Sequence, residues 1–183
     1  FDIARWALQV EYPRNVFVES AKRHFPDDGW EMYDSMYATF TFPNGEVINW
    51  DGKSRNAMGT YGSGRGTIIY GTEGSVFVNR ALYKLFDRAG ALVRQVVSEG
   101  EEGGVALGGG GDMTTLHVEN FLNSIRGTEK QRSPIDEGAK STLLCHLANI
   151  SSRLDKPLEI NTANGHIYDR GAMKFWRRDY AAE

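Results

Sequence analysis

Tyr33-Asp34-Ser35-Met36-Tyr37-Ala38-Thr39-Phe40-Thr41-Phe42, then Pro43-Asn44-Gly45 and Val47-Ile48-Asn49-Trp50-Asp51, is the stretch that decides the fold. It alternates with period two. Met36, Ala38, Phe40 and Phe42 point one way, and Tyr33, Ser35, Tyr37, Thr39 and Thr41 the other. Asn44-Gly45 is a tight-turn signal, so Val47–Asp51 is the return strand of a hairpin. One face is apolar and the other is rich in Tyr and Thr. An antiparallel sheet of this kind has one core face and one face turned to solvent, ligand or a partner.

More strands lie on either side. Val16–Ser20 reads as a short strand upstream. Downstream, Thr67–Tyr70 and Ser75–Asn79 flank Gly71-Thr72-Glu73-Gly74, and Leu82–Phe86 and Leu92–Val96 flank Asp87-Arg88-Ala89-Gly90. Ser98–Asp112 is dense in glycine and glutamate and reads as a mobile surface loop. Helical spacing then takes over. Thr114 or Thr115 caps a stripe of Leu116, Val118, Phe121, Leu122 and Ile125 that ends at Gly127. Ile135–Leu154 is the longest helix, with Ala139, Leu143, Leu147, Ile150 and Leu154 as its predicted buried face. Lys156-Pro157 stops it, Leu158 and Ile160 suggest an edge strand, and a last short helix spans Gly171–Trp176. At the other end Phe1, Ile3, Ala4, Ala7 and Leu8 fall on one helical face, with Asp2 and Arg5 opposite. The order of a helix fragment, many strands and then helices is α+β: an open, largely antiparallel β-sheet with helices packed on one face.

The chain has 183 residues, one domain by length, with 21 basic and 24 acidic residues and a net charge of −3. No basic stripe argues for nucleic acid. No apolar run approaches a membrane span. Cys145 is the single cysteine, so no intrachain disulfide forms, which fits a reducing, cytoplasmic setting. The opening Phe1–Leu8 has neither the charge pattern nor the apolar core of a signal peptide. It reads as the middle of a helix, with the expectation that a further segment preceded it.

The histidines, His24, His117, His146 and His166, show no metal-ligand spacing with one another or with Cys145, so no metal is expected. No Ser-His-Asp or Cys-His arrangement can be assembled. Gly62-x-Gly64-x-Gly66 resembles part of a dinucleotide fingerprint, but a β-run follows where the fingerprint needs a helix N-terminus to hold the pyrophosphate. It is better read as a flexible loop over a pocket. The surrounding loop Asp51–Gly66 is the most polar-aromatic stretch, with Lys53, Arg55, Asn56, Tyr61, Ser63 and Arg65. Such groups suit a sugar, and equally a solvated connection.

Three stretches together resemble the Gfo/Idh/MocA family of NAD(P)-dependent oxidoreductases. Asp2-Ile3-Ala4-Arg5-Trp6-Ala7-Leu8 is similar to the helix that follows that family's catalytic Asp-x-x-x-His. Ile69-Tyr70-Gly71-Thr72-Glu73-Gly74-Ser75 is similar to its glycine hairpin. His117-x-x-Asn120-Phe121-Leu122-x-x-Ile125-Arg126, with Leu144-Cys145-His146-Leu147-Ala148-Asn149-Ile150, is similar to its paired C-terminal helices. Their order covers nearly the whole chain, so the resemblance implies that residues 1–183 are a C-terminal substrate-binding and oligomerisation domain.

The resemblance implies an upstream Rossmann domain that binds NAD or NADP and supplies a catalytic lysine, with the catalytic histidine just ahead of Asp2. No catalytic residue and no cofactor site would then lie within this chain. Hydride transfer needs a base and a held nicotinamide, and neither is in it. The chain would contribute substrate-orienting groups: Asp2 by the resemblance, Arg55 and Asn56 from the polar loop, Tyr61 and Ser63 near family substrate positions, and Arg65. Partners implied are a sugar or polyol, its own Rossmann domain, and further copies of itself through the sheet face. Two alternatives stay open: an NAD-dependent glycoside hydrolase of the same fold, and a stand-alone carbohydrate-binding or assembly module.

Overall fold

A computed structural model of the chain describes residues 1–97 and 111–177. The elements are α1 (Asp2–Leu8), β1 (Asn15–Ala21), β2 (Ser35–Thr41), β3 (Val47–Lys53), β4 (Thr67–Tyr70), β5 (Gly74–Val78), β6 (Leu82–Asp87), β7 (Leu92–Val97), α2 (Gly111–Ile125), α3 (Ile135–Leu154), β8 (Leu158–Glu159) and a 3-10 turn, Ala172–Phe175. The class is α+β with antiparallel sheets, as the alternation predicts. The strands divide between two four-stranded sheets, β3-β2-β1-β8 and β4-β5-β6-β7. Each sheet belongs to its own compact unit: Phe1–Ala57 with Asp136–Glu183, and Met58–Ile135.

In the first unit the period-two reading holds residue by residue. Phe40 and Phe42 are fully buried and Ala38 nearly so, while Tyr37 on the opposite face is exposed. Val16 and Val18 of β1, Ile48 of β3 and Leu158 of β8 join them, and Leu144, Leu147, Ala148 and Ile150 of α3 close the core. Two details of the helices differ from the sequence pattern. The buried face of α3 is Ser141, Leu144, Leu147, Ala148, Ile150, Ser151 and Ser152 rather than one running through Ala139, which is exposed. Small serines let the helix sit close to the strands, and their hydroxyls find partners: Ser151 Oγ donates to Lys156 O at 2.8 Å, and Ser152 Oγ meets Ser20 Oγ at 2.7 Å. In α1, Phe1, Ala4 and Leu8 pack on the core, but Ile3 is exposed and Arg5 is buried. The helix ends at Gln9 in the left-handed conformation, φ 53°, ahead of Tyr12-Pro13.

β2 begins at Ser35, not at Tyr33, because Asp34 is used as a cap. Its buried carboxylate accepts hydrogen bonds from Arg23 N at 3.0 Å, His24 N at 2.9 Å and Ser35 Oγ at 2.9 Å. A carboxylate so engaged closes the β1–β2 connection and leaves the strand.

In the second unit β4–β7 form a meander through the two hairpins read from the sequence. Gly74 has no room for a side chain, since a Cβ there would lie 2.2 Å from Phe86 O. α2 starts at Gly111, earlier than a Thr114 or Thr115 cap requires. Its apolar residues Leu116, Val118, Phe121, Leu122 and Ile125 are exposed. Within the first unit α3 covers the β2 core face. Asn120 is the buried residue of α2 among those described. Its Nδ2 donates to Glu129 Oε2 (2.8 Å) and Lys130 O (3.0 Å), and its Oδ1 accepts from Arg132 N (3.0 Å). The expectation of a mobile loop over Ser98–Asp112 lies outside the described residues, except that Gly111 and Asp112 open α2.

Candidate functional site

The polar-aromatic loop after β3 runs across the boundary between the two units, so its candidate residues fall into two groups. In the first unit Lys53 Nζ donates to Asp51 Oδ2 at 2.7 Å, which raises the Lys53 pKa. Arg55 follows. Its guanidinium lies 5.5 Å from the centre of the Phe25 ring and 3.6 Å from Asp28 Oδ2. Asp28 is shared: Lys22 Nζ approaches to 2.5 Å and Trp30 N donates to Oδ1 at 3.1 Å, so its carboxyl is held below the ordinary range, first by the Lys22 hydrogen bond. Asn56 donates from its backbone N to Lys53 O at 3.2 Å, and its side chain is exposed.

Arg55 is therefore held against one aromatic ring and one acid, and that acid also accepts from the backbone N of the exposed Trp30. The buried Asp34 fixes the other end of this segment. Backbone N–H groups from His24, then Arg23, drive its carboxyl well below the usual range. Sequence reading missed the Phe25–Asp28–Trp30 group. The only available signal was Phe25-Pro26-Asp27-Asp28-Gly29-Trp30 as an aromatic turn sequence, and turn chemistry alone does not say which later residue it meets.

In the second unit Tyr61, Ser63 and Arg65 share one tight turn. Tyr61 adopts φ 53°, and its ring packs 4.8 Å from Phe86 and 5.6 Å from Phe77, centre to centre. Its carbonyl accepts from Lys84 Nζ at 3.0 Å. Ser63 Oγ donates to Arg65 O at 2.7 Å and accepts from Asn79 Nδ2 at 3.2 Å. Arg65 itself is exposed. Gly66 lets the chain pass close over β5: a Cβ there would be 2.6 Å from the Phe77 ring. The glycines thus serve a packed turn leading into β4, and the expected flexible loop is better described as a folded-back one.

Asp2 stands in the exposed first turn of α1, with Ile3 and Trp6 exposed on the same helix. The six predicted residues are thus Asp2 on α1, Arg55 and Asn56 beside the Phe25 cluster, and Tyr61, Ser63 and Arg65 against β5 and β6.

The outer face of the first sheet is the other candidate surface. Cross-strand register lines up Glu19, Tyr37 and Asp51 in one row and Phe17, Thr39 and Asn49 in the next, with Thr39 Oγ1 donating to Asn49 Oδ1 at 2.9 Å. Tyr70, also exposed, lies in the second unit. Among the described residues no group of His, Cys, Asp and Glu could hold a metal ion, and no helix is long and apolar enough to cross a membrane.

No protein-family model matches this sequence, and no curated protein matches it. Solved structures do. Levoglucosan dehydrogenase in complex with NADH superposes with a TM-score of 0.60 at 19% identity, over 88% of this chain and 48% of its own. An oxidoreductase from Agrobacterium radiobacter, in complex with NAD+, L-tartaric acid and magnesium, gives 0.60 at 13% identity, over 86% and 46%. The myo-inositol 2-dehydrogenase from Lactobacillus plantarum gives 0.53 at 14% identity, over 87% and 45%. The chain spans less than half the length of each. At these identities the likeness is one of fold, and that fold is the one carried by oxidoreductases of the Gfo/Idh/MocA type.

Proposed function

We propose that this chain is the substrate-binding and oligomerisation domain of an NAD(P)-dependent sugar or polyol dehydrogenase, whose NAD(P)-binding domain is a separate part of the same polypeptide. The observation that carries the proposal is the extent of the fold match. Most of this chain superposes on less than half of an oxidoreductase whose structure holds NAD+ and of a dehydrogenase whose structure holds NADH. A hydride-transfer site needs a nicotinamide held against the reacting carbon and a base for the hydroxyl proton. In this reading both come from the other domain, and the present chain orients the substrate through its hydroxyls.

Asp2, on the exposed side of α1, would accept substrate hydroxyls. Arg55 and Asn56 offer donors, and Arg55 is preoriented by Phe25 and Asp28. Tyr61, Ser63 and Arg65 are proposed separately, as a polar and aromatic group of the second unit suited to substrate hydroxyls. The outer sheet face, with exposed Tyr37 among Thr39, Asn49 and Asp51, is the proposed contact between copies, since tyrosine buries area while keeping one hydrogen-bonding end. The setting proposed is cytoplasmic.

The test is nicotinamide reduction by the full-length protein across a panel of hexoses, cyclitols and anhydrosugars with NAD+ and with NADP+. Turnover of at least one, lost on replacing Asp2 by Ala, is the expected result. Glycoside cleavage with no net change in the nicotinamide would select the hydrolase alternative. Tight NAD(P) binding by residues 1–183 alone would defeat the domain assignment.

A further inference from the structure

A concavity of about 590 Å³ opens in the first unit at the β8 edge of the sheet, and none of the residues proposed above for substrate lines it. Arg14, Asn15, Thr41, Glu159, Thr162 and Tyr168 line it. The register explains how it is built. Thr41, Asn15 and Glu159 pair across β2, β1 and β8, so their side chains stand in one row on the outer face. Neighbours in such a row are about 4.8 Å apart. That spacing lets adjacent side chains meet different hydroxyls of a single hexose or cyclitol ring.

We infer that this concavity is a second, non-catalytic binding site for a neutral polyhydroxylated ring, a monosaccharide or cyclitol. Three features set that class. The hydrogen-bonding groups alternate in kind. Arg14 only donates and Glu159 only accepts, while Asn15, Thr41 and Thr162 do both. Hydroxyls on a sugar are each donor and acceptor, so they match such a mixture, whereas a phosphate or carboxylate calls for a surplus of donors. The charges also balance, one guanidinium against one carboxylate, and neither forms an ion pair among the described residues, so both keep their bonding capacity for a ligand. Finally, Tyr168 is 64% exposed at the wall, and its ring supplies the apolar platform that the C–H face of a sugar needs.

The site does not depend on the dehydrogenase reading. Thr41 is the last residue of β2 and the next outward one after Thr39, so the concavity stands at one end of the sheet face, at the margin of the contact proposed around Tyr37 and Thr39. Its backbone frame is closed independently: Ile160 N donates to Arg14 O at 3.0 Å, and Tyr168 N to Glu159 O at 3.0 Å.

Amide chemical shifts of the full-length protein, titrated with myo-inositol, D-glucose and D-glucuronate, provide the test. Both neutral sugars should shift the amides of Glu159, Thr162 and Tyr168, saturating on the order of 1 mM or above, as fits an open site. Tyr168→Ala should weaken this by about tenfold, the scale of one lost ring contact, while Tyr168→Phe keeps it. Glu159→Gln should weaken it too. The inference is overturned if neither sugar moves these amides, if shifts appear only around Asp2 and Arg55, if Tyr168→Ala and Glu159→Gln both bind as the parent does, or if D-glucuronate binds more tightly than D-glucose. Absence of dehydrogenase turnover would leave these outcomes readable, because none of them requires turnover.

Discussion

The Arg5 guanidinium ties α1 to α3 through Glu137, its Nη2 lying 3.1 Å from Glu137 Oε2. The same guanidinium donates from Nη1 to Ser141 Oγ at 2.9 Å and to Glu137 O at 3.2 Å, while Nε is buried without a partner. Arg5 is only 4% exposed, and the Glu137 side chain is 51% exposed. The pair is thus lopsided, with most of its desolvation falling on Arg5.

Arg5→Ala should therefore destabilise the fold by about 2 kcal/mol, through lost packing and three lost helix–helix hydrogen bonds. Arg5→Met, which refills the volume without a charge, should recover much of that. Glu137→Gln should cost less than Arg5→Ala, because water already reaches the carboxylate. Urea unfolding of the three variants checks the order. A larger loss for Glu137→Gln than for Arg5→Ala would show that the ion pair, not the buried stem, holds the helices.

Acid should loosen the first unit in a defined window. Asp169 is lowered to about 2, first by the Lys156 hydrogen bond and then by the Ala172 and Gly171 backbone N–H groups. Asp34 is lowered further in the same direction. A depressed carboxyl contributes stability that is complete above its unfolded value near 3.8 and is lost as pH falls through the folded value. The melting temperature should thus fall steadily below pH 3.8, and the fall should be shallower in Asp34→Asn and in Asp169→Asn. Unchanged acid profiles in both variants would contradict the assignment.

Gly64 and Gly66 separate a packed turn from a phosphate cradle. A Cβ on Gly66 would lie 2.6 Å from the Phe77 ring and 2.9 Å from Val78 O, whereas Gly64 has open space around it. Gly66→Ala should destabilise the second unit by about 1–3 kcal/mol, while Gly64→Ala should be close to neutral. Denaturation curves for both decide it. Equal sensitivity of the two positions would point to a role other than packing.

The proposed contact between copies makes a further demand. Tyr37 and Thr39 are consecutive outward residues of β2, in adjacent rows of the face. Lysines at both should split a sheet-to-sheet oligomer of the full-length protein into smaller species without unfolding it. Sedimentation velocity reads the result. An oligomer that survives the double substitution would move the contact elsewhere.

What the sequence determined by itself was everything that depends on local periodicity. Met36, Ala38, Phe40 and Phe42 alternate with Tyr37, Thr39 and Thr41, and a strand has only two faces, so the core side follows from the pattern. Asn44-Gly45 and the two later hairpins follow from turn chemistry, and α3 from its 3.6-residue spacing. The candidate site was legible only as composition: a loop carrying Arg55, Asn56, Tyr61, Ser63 and Arg65. Tertiary structure decided how those residues are grouped, because Arg55 meets Phe25 and Asp28 whereas Tyr61 meets Phe77 and Phe86, over separations that no local rule encodes. It also decided the exceptions to hydrophobic pattern. Arg5 is buried and Ile3 exposed because Glu137 and Ser141, more than 130 residues away, satisfy a guanidinium there. Asp34 left the strand because Arg23 and His24 offered it backbone N–H groups. A polar group is buried only where partners await it, and those partners are assembled by the fold.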